Sequence, residues 1–172
     1  MTSVGPYTQS YDLSFMYSMP DLRNISPVKP NIPPTSLLGI ITSHQDFRKF
    51  KYVLNLSGMA DRYADPQADF TLFVPSDATI SKIPEEIFIN MDSSVARTIV
   101  RTSTLKRRIP SELLEDSPAT NFITTDPINK LFITNISGQT SINNSINVIH
   151  KDQVASNGLI HVVDGLLWPV MI

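Results

Sequence analysis

The stretch that decides how the chain is read is Asn157-Gly158-Leu159-Ile160-His161-Val162-Val163-Asp164-Gly165-Leu166-Leu167-Trp168-Pro169. An Asn-Gly pair opens it and an Asp-Gly pair interrupts it. Both are turn formers, because glycine takes positive φ without a steric cost and Asn or Asp tolerates it. The run between the two turns, Leu159 to Val163, is too short for a helix and rich in β-branched residues, so it predicts a buried strand. A second stretch answers it, Phe70-Thr71-Leu72-Phe73-Val74-Pro75-Ser76. It is a run of strand formers stopped by a proline that has no N–H for a ladder.

Together the two stretches resemble the paired signature segments of the fasciclin-like domain, an adhesion and interaction module. The family's first segment runs close to T-x-F-A-P-[ST]-[ND]-x-A-[FI], answered by Thr71, Phe73, Val74, Pro75, Ser76, Asp77, Thr79 and Ile80. The second runs close to N-G-x-I-H-x-[VI]-D-x-[VL]-L-x-P, answered by Asn157, Gly158, Ile160, His161, Val163, Asp164, Leu166, Leu167 and Pro169. The resemblance covers Thr35 to Pro169 and implies one non-enzymatic domain that works through protein contacts. Many members also carry a Tyr-His pair and a Pro-Gly turn between the two segments, linked to integrin recognition. The aligned region here, Arg101 to Arg107, has none of those residues, so integrin binding is not carried over.

Composition agrees with a globular domain: of 172 residues, 41% are hydrophobic and 17% charged, enough apolar material for a sizeable core. A net charge of −2 gives no field for wholesale nucleic-acid binding. There is no cysteine, hence no disulfide framework, thiol nucleophile or thiolate-bound metal. The segment Met1 to Leu13 has neither the basic start nor the apolar core of a secretory leader, and no apolar run is long enough to span a bilayer. With three residues after Pro169, no lipid-anchor tail is expected. Fasciclin-like domains are usually secreted or cell-surface. The expected setting here is instead inside a cell or a virus particle, or extracellular if a leader has been removed.

Residues 1–34 form a Pro-rich arm ahead of the domain at 35–172. Pro6, Pro20, Pro27, Pro30, Pro33 and Pro34 block helix interiors and sheet ladders. Yet Tyr7, Tyr11, Phe15 and Tyr17 make the arm too apolar for a solvated linker. Such an arm packs on its own domain, lies on a neighbouring chain, or stays disordered. Ser36 suits the N-cap of a helix through Ile41, and Ser43 with Asp46 a capping box for the next. Phe47, Phe50, Val53 and Leu54 share a helical face ending at Gly58. Met59 to Tyr63 adds a turn. Ser76 caps a short helix after the first strand, Pro84 starts another, and Asp92 or Ser93 caps a third carrying Arg97 and Arg101. Past Ile109-Pro110 the period changes to two. Asn121–Thr125, Lys130–Asn135, Thr140–Ile142 and Ile146–His150 predict short strands joined by turns at Asp126-Pro127, Ser137-Gly138 and Asn143-Asn144. Helices first and strands second make the chain α+β.

Chemistry has few footholds. Ser76, His44, His150, His161, Asp77 and Asp164 are the candidate hydrolytic residues, but no G-x-S-x-G elbow surrounds a serine. His161 and Asp164 read more simply as a buried imidazole and a turn carboxylate satisfying backbone donors. His150, Asp152 and His161 are the remaining metal candidates, without ligand spacing to recommend them. No Gly-rich phosphate cradle exists, so no cofactor or small-molecule substrate is expected. The charge cluster Arg97, Arg101, Lys106, Arg107 and Arg108 is either a solvated flank or a dock for an acidic partner. Four N-x-[ST] sites, at Asn24, Asn55, Asn135 and Asn143, do not by themselves indicate secretion.

These readings predict a protein-interaction module, with the arm aromatics and the basic cluster as its partner-binding residues. Its setting is an assembly whose subunits it links, such as a virus particle. The alternative is a cell-adhesion domain.

Overall fold

The computed structural model describes residues 32–116, 118–126 and 130–167. The chain divides between Ile32 and Pro33 into two units, and every element named below belongs to the second. Tyr7, Tyr11, Phe15, Tyr17, Trp168 and Pro169 lie outside the described residues.

The first half is helical because its capping residues fall where apolar periodicity begins. Helix α1 (Leu37–Ser43) starts at Ser36, whose Oγ accepts from the Gly39 N–H at 3.0 Å. The Ser43–Asp46 capping box does not form. Helix α1 runs past Ile41 and absorbs Ser43, whose hydroxyl donates to the Gly39 carbonyl. The cap of the following 3-10 turn, Gln45–Phe47, is His44, whose Nδ1 accepts from the Asp46 N–H. Helix α2 (Arg48–Ser57) buries Phe50, Val53 and Leu54 and stops at Gly58, whose φ of 74° is left-handed. A 3-10 turn, Ala60–Ala64, leads to strand β1 (Phe70–Pro75). Ser76 caps α3 (Asp77–Ile80), and Pro84 takes the cap position of α4 (Glu85–Ile89) rather than its first turn. Asp92 caps α5 (Ser93–Thr102), which buries Ala96, Ile99 and Val100.

A two-residue strand, β2 (Thr104–Leu105), and a single helical turn, α6 (Ser111–Leu114), follow; neither has a periodic signal in the sequence. The rest is β3 (Ala119–Ile123), β4 (Lys130–Ile136), β5 (Gln139–Ile142), β6 (Ile146–Ala155) and β7 (Gly158–Val163). The β4–β5 and β5–β6 turns place Ser137, Gly138, Asn143 and Asn144 at positive φ, as tight hairpins require. Strand β6 continues well past His150, because β7 offers an antiparallel partner along that length. The pairing slips twice, and Asp152 sits at φ 61°.

The strands form one sheet in the order β2-β1-β7-β6-β5-β4-β3. Second and third in that order, β1 and β7 run parallel through six register pairs, from Phe70 with Gly158 to Pro75 with Val163. Both faces of this pair are covered. Leu72, Val74, Ile160 and Val162 join the helices in one core; Phe73 and Val163 join the antiparallel strands in another. Burial on both faces is why the two stretches read as continuous apolar runs rather than alternating ones. The sheet then closes on itself: Leu105 of β2 bridges Thr124, just past β3, and the Thr125 N–H donates to the Thr104 carbonyl at 3.0 Å. The second core, with Leu131, Ile133 and Ile142, lies inside this closure.

Candidate functional site

The polar residues of the two signature stretches are engaged in holding the frame. Asn157 is buried; its Oδ1 accepts from the Leu37 N–H at 2.8 Å and its Nδ2 donates to the Tyr63 and Asp65 carbonyls, each at 3.0 Å. One carboxamide thus ties α1, the 3-10 turn and the β6–β7 corner together. Gly158 is needed beside it, since a Cβ there would stand 2.2 Å from the Phe70 carbonyl oxygen. The Thr71 hydroxyl donates to the Arg107 carbonyl and accepts from the Ile109 N–H, both at 2.7 Å.

His161 is fully buried beside Phe73. Its Nδ1 accepts from the Asp152 N–H at 3.1 Å, so Nε2 carries the proton and donates to the Ile109 carbonyl at 2.9 Å. Burial holds this imidazole below its ordinary pKa, outweighing the bond to Ile109 and the nearby Asp152 charge. Partial burial opposes the charged form of Asp152, but hydrogen bonds from the Ser111 N–H and hydroxyl prevail and hold its pKa low. The Asp164 carboxylate accepts from the Asn147 N–H at 2.7 Å and from its side-chain amide at 3.2 Å. Asp77 accepts from the Lys49 N–H at the start of α2, and Ser76 is occupied with Thr79. Pro75 closes β1 opposite Val163, with Ile160 buried three pairs before that end.

The two chemical readings that the sequence already disfavoured find no supporting geometry in these residues. Ser76, His161, Asp77 and Asp164 each have their own local partners, so they do not form a nucleophile–base pair. The metal reading of His150, Asp152 and His161 fails because both ring nitrogens of His161 are committed to backbone groups, leaving no lone pair for an ion. Among the described residues no group of three potential ligands gathers anywhere.

The basic cluster does not form one face. Arg97 and Arg101 are half-buried on α5, where Arg101 uses its carbonyl to accept from the Thr125 hydroxyl. Arg108 pairs with Asp69 at 2.9 Å. Lys106 and Arg107 are exposed and have no ion-pair partner among the described residues. These two border the place where the sheet's closure opens. Past the Leu105–Thr124 bridge, Thr71 holds Arg107 and Ile109 toward β1, and the chain departs from β3. The gap is a groove of about 400 Å³ lined by Lys106, Arg107, Ile109, Phe122 and Ile123, among others, with Ile123 left 73% exposed.

Sequence reasoning could not find this seam, because it depends on a two-residue strand. Tyr63 is another part that was missed: its buried hydroxyl donates at 2.7 Å to Thr104, whose own proton goes to the Val100 carbonyl. Burial pushes the Tyr63 phenol up to about 12, and the bond pins β2 beneath the helices.

Comparison with known proteins bears on this frame directly. The family model described as "Fasciclin domain" matches residues 45–169. A solved domain pair from the insect cell adhesion molecule fasciclin I is similar in fold, with a TM-score of 0.66 and 24% identity over 80% of this chain. The chain spans 52% of that structure's length. No curated protein sequence matches it significantly.

Proposed function

Because the chain belongs to the fasciclin domain family, we propose that it is a non-enzymatic module making protein–protein contacts within a larger assembly, with the seam between β2 and β3 as its principal contact. The observation that carries this reading is the pairing of unneutralised Lys106 and Arg107 with exposed Ile123 along one groove. Charge gives orientation and rate, and a desolvated apolar neighbour gives affinity. Arg97, Arg101 and Arg108 contribute a background of positive charge rather than direct contacts. The arm residues Tyr7, Tyr11, Phe15 and Tyr17 are proposed as a second contact element, supported by their amphipathic aromatic character. The narrower setting of a virus particle gains no support from the comparisons and is not part of the proposal.

The test is association of the full chain, with itself and with partners from its native source, across a salt series. Reversing Lys106 and Arg107 to Glu should weaken association and flatten its salt dependence. Association unchanged by both the reversal and the salt would refute the seam as the contact.

A second reading, a cell-adhesion domain, is favoured by the likeness to fasciclin I and by the exposure of Asn55 and Asn143. Asn135 is unsuited to carry a glycan: its amide donates to the Leu114 carbonyl and its oxygen accepts from Thr140. Mass spectrometry of the native protein separates the readings, since adhesion predicts glycans at Asn55 or Asn143.

A further inference from the structure

The open bank of the groove is a strand edge with unpaired backbone groups. Asn143 takes both the N–H and the carbonyl of Phe132 in β4, at 2.9 and 2.7 Å, so Phe132 faces away from its β3 neighbour Asn121. In an antiparallel ladder the direction alternates residue by residue, which turns the N–H and carbonyl of Asn121 and Ile123 outward. Asn121 has no backbone partner on that side among the described residues, whereas the Ile123 carbonyl faces the Lys106 N–H across the Leu105–Thr124 bridge. Such an edge is a ready template for another extended chain, and proteins ordinarily cover it. Closure of the sheet covers it at Thr124 and at the neighbouring Ile123 carbonyl, and leaves Asn121 open.

The groove specifies its occupant. It needs an extended segment that alternates apolar and polar residues, carries negative charge for Lys106 and Arg107, and has no proline within. Ser10-Tyr11-Asp12-Leu13-Ser14-Phe15-Met16-Tyr17-Ser18-Met19 has this pattern: Tyr11, Leu13, Phe15, Tyr17 and Met19 fall on one side at period two. Its nearest prolines, Pro6 and Pro20, lie outside it. Asp12 and Asp21 are acidic, and no Lys or Arg precedes Arg23. The tether from Met19 to Pro33 can reach roughly 45 Å when extended. Its prolines favour extension over a tight return.

Resting on the interaction reading above, we propose that Ser10–Met19 of a neighbouring copy of this chain adds to the edge of β3 and fills the seam, so that copies are joined by strand addition. Tyr11, Phe15 and Tyr17 then supply the anchoring aromatics, and Asp12 meets Lys106 or Arg107.

The test uses the full chain with a photo-crosslinking phenylalanine analogue at Ile123, in an equal mixture of isotopically light and heavy copies. The proposal expects crosslinks from position 123 into Tyr11–Tyr17 that join light to heavy chains. It also expects Asn121→Pro, which removes only an outward N–H, to weaken association by about tenfold. The double variant Phe15→Ser with Tyr17→Ser, which alters no described residue, should do the same. Crosslinks confined within single chains would overturn the proposal by returning the segment to its own seam. Association that survives Asn121→Pro and both serine changes, with crosslinks elsewhere, would overturn it while leaving the interaction reading intact. A chain that associates with neither itself nor any partner would overturn both.

Discussion

The parallel pair β1–β7 and the seam between β2 and β3 belong to one sheet and are built on opposite terms. The pair is continuous over six registers, covered on both faces, and packed so closely that Gly158 has no room for a Cβ. The seam holds by one bridge and then opens, with cations on one bank and an unpaired edge on the other. The two are nonetheless connected. Thr71 of β1 and His161 of β7 bind the N–H and the carbonyl of the same residue, Ile109, and so set how wide the seam stands. A buried frame can therefore shape a surface without contributing any residue to that surface.

That contrast can be broken most forcefully at the pair. Ile160→Ala should cost about 2–5 kcal/mol, read as a lowered denaturant midpoint, because the site is enclosed on both sides and cannot collapse. An unchanged midpoint would show that the pair is not the centre of the core. Asn157→Ala should cost on the order of 3 kcal/mol, since the Leu37 N–H loses its acceptor and two carbonyls lose a donor at about 1–3 kcal/mol per stranded group.

A smaller effect is expected from pH. His161 has a folded pKa below its ordinary value of 6.5, so the folded state binds fewer protons than the unfolded one. Its contribution is complete above about pH 6.5 and declines as pH falls below that value toward the folded pKa. Thermal unfolding of the native chain and of His161→Gln, followed from about pH 7.5 to 5, should show their difference in stability narrowing as the solution is acidified. A constant gap would mean the imidazole is not held neutral. The smallest effect on stability belongs to the seam: Lys106→Glu with Arg107→Glu should move the midpoint by no more than about 0.5 kcal/mol while association falls. Should folding suffer instead, the two regions would not be separable in function.

The sequence carried the pair and not the seam, and the reason is physical. Leu72, Val74, Ile160 and Val162 are apolar because both faces are covered, so the strands could be read from composition, and caps such as Ser36, Ser76 and Asp92 from their place before apolar periodicity. The Ser43 cap was misread because the sequence does not say how far α1 extends before its last turn. Strand β2 has two residues, too few for any period, and its position depends on Tyr63 gripping Thr104 across the core. The basic cluster was visible as a count of charges, whereas its division into a paired Arg108, half-buried α5 arginines and free Lys106 and Arg107 depends on tertiary placement.

The strand that completes the parallel pair is also the last of the described strands in chain order. Every other strand emerges from the ribosome before β7, and β1 must wait through all of them for its main partner. The bond from the Leu37 N–H to Asn157 spans 120 positions, so even the first helix lacks its anchor until then. Contacts of such sequence separation are slow to form and leave apolar surface open in the interval. A nascent chain halted before Gly158 lacks the strand that joins the two cores, so the finished core is expected to form only once β7 is available.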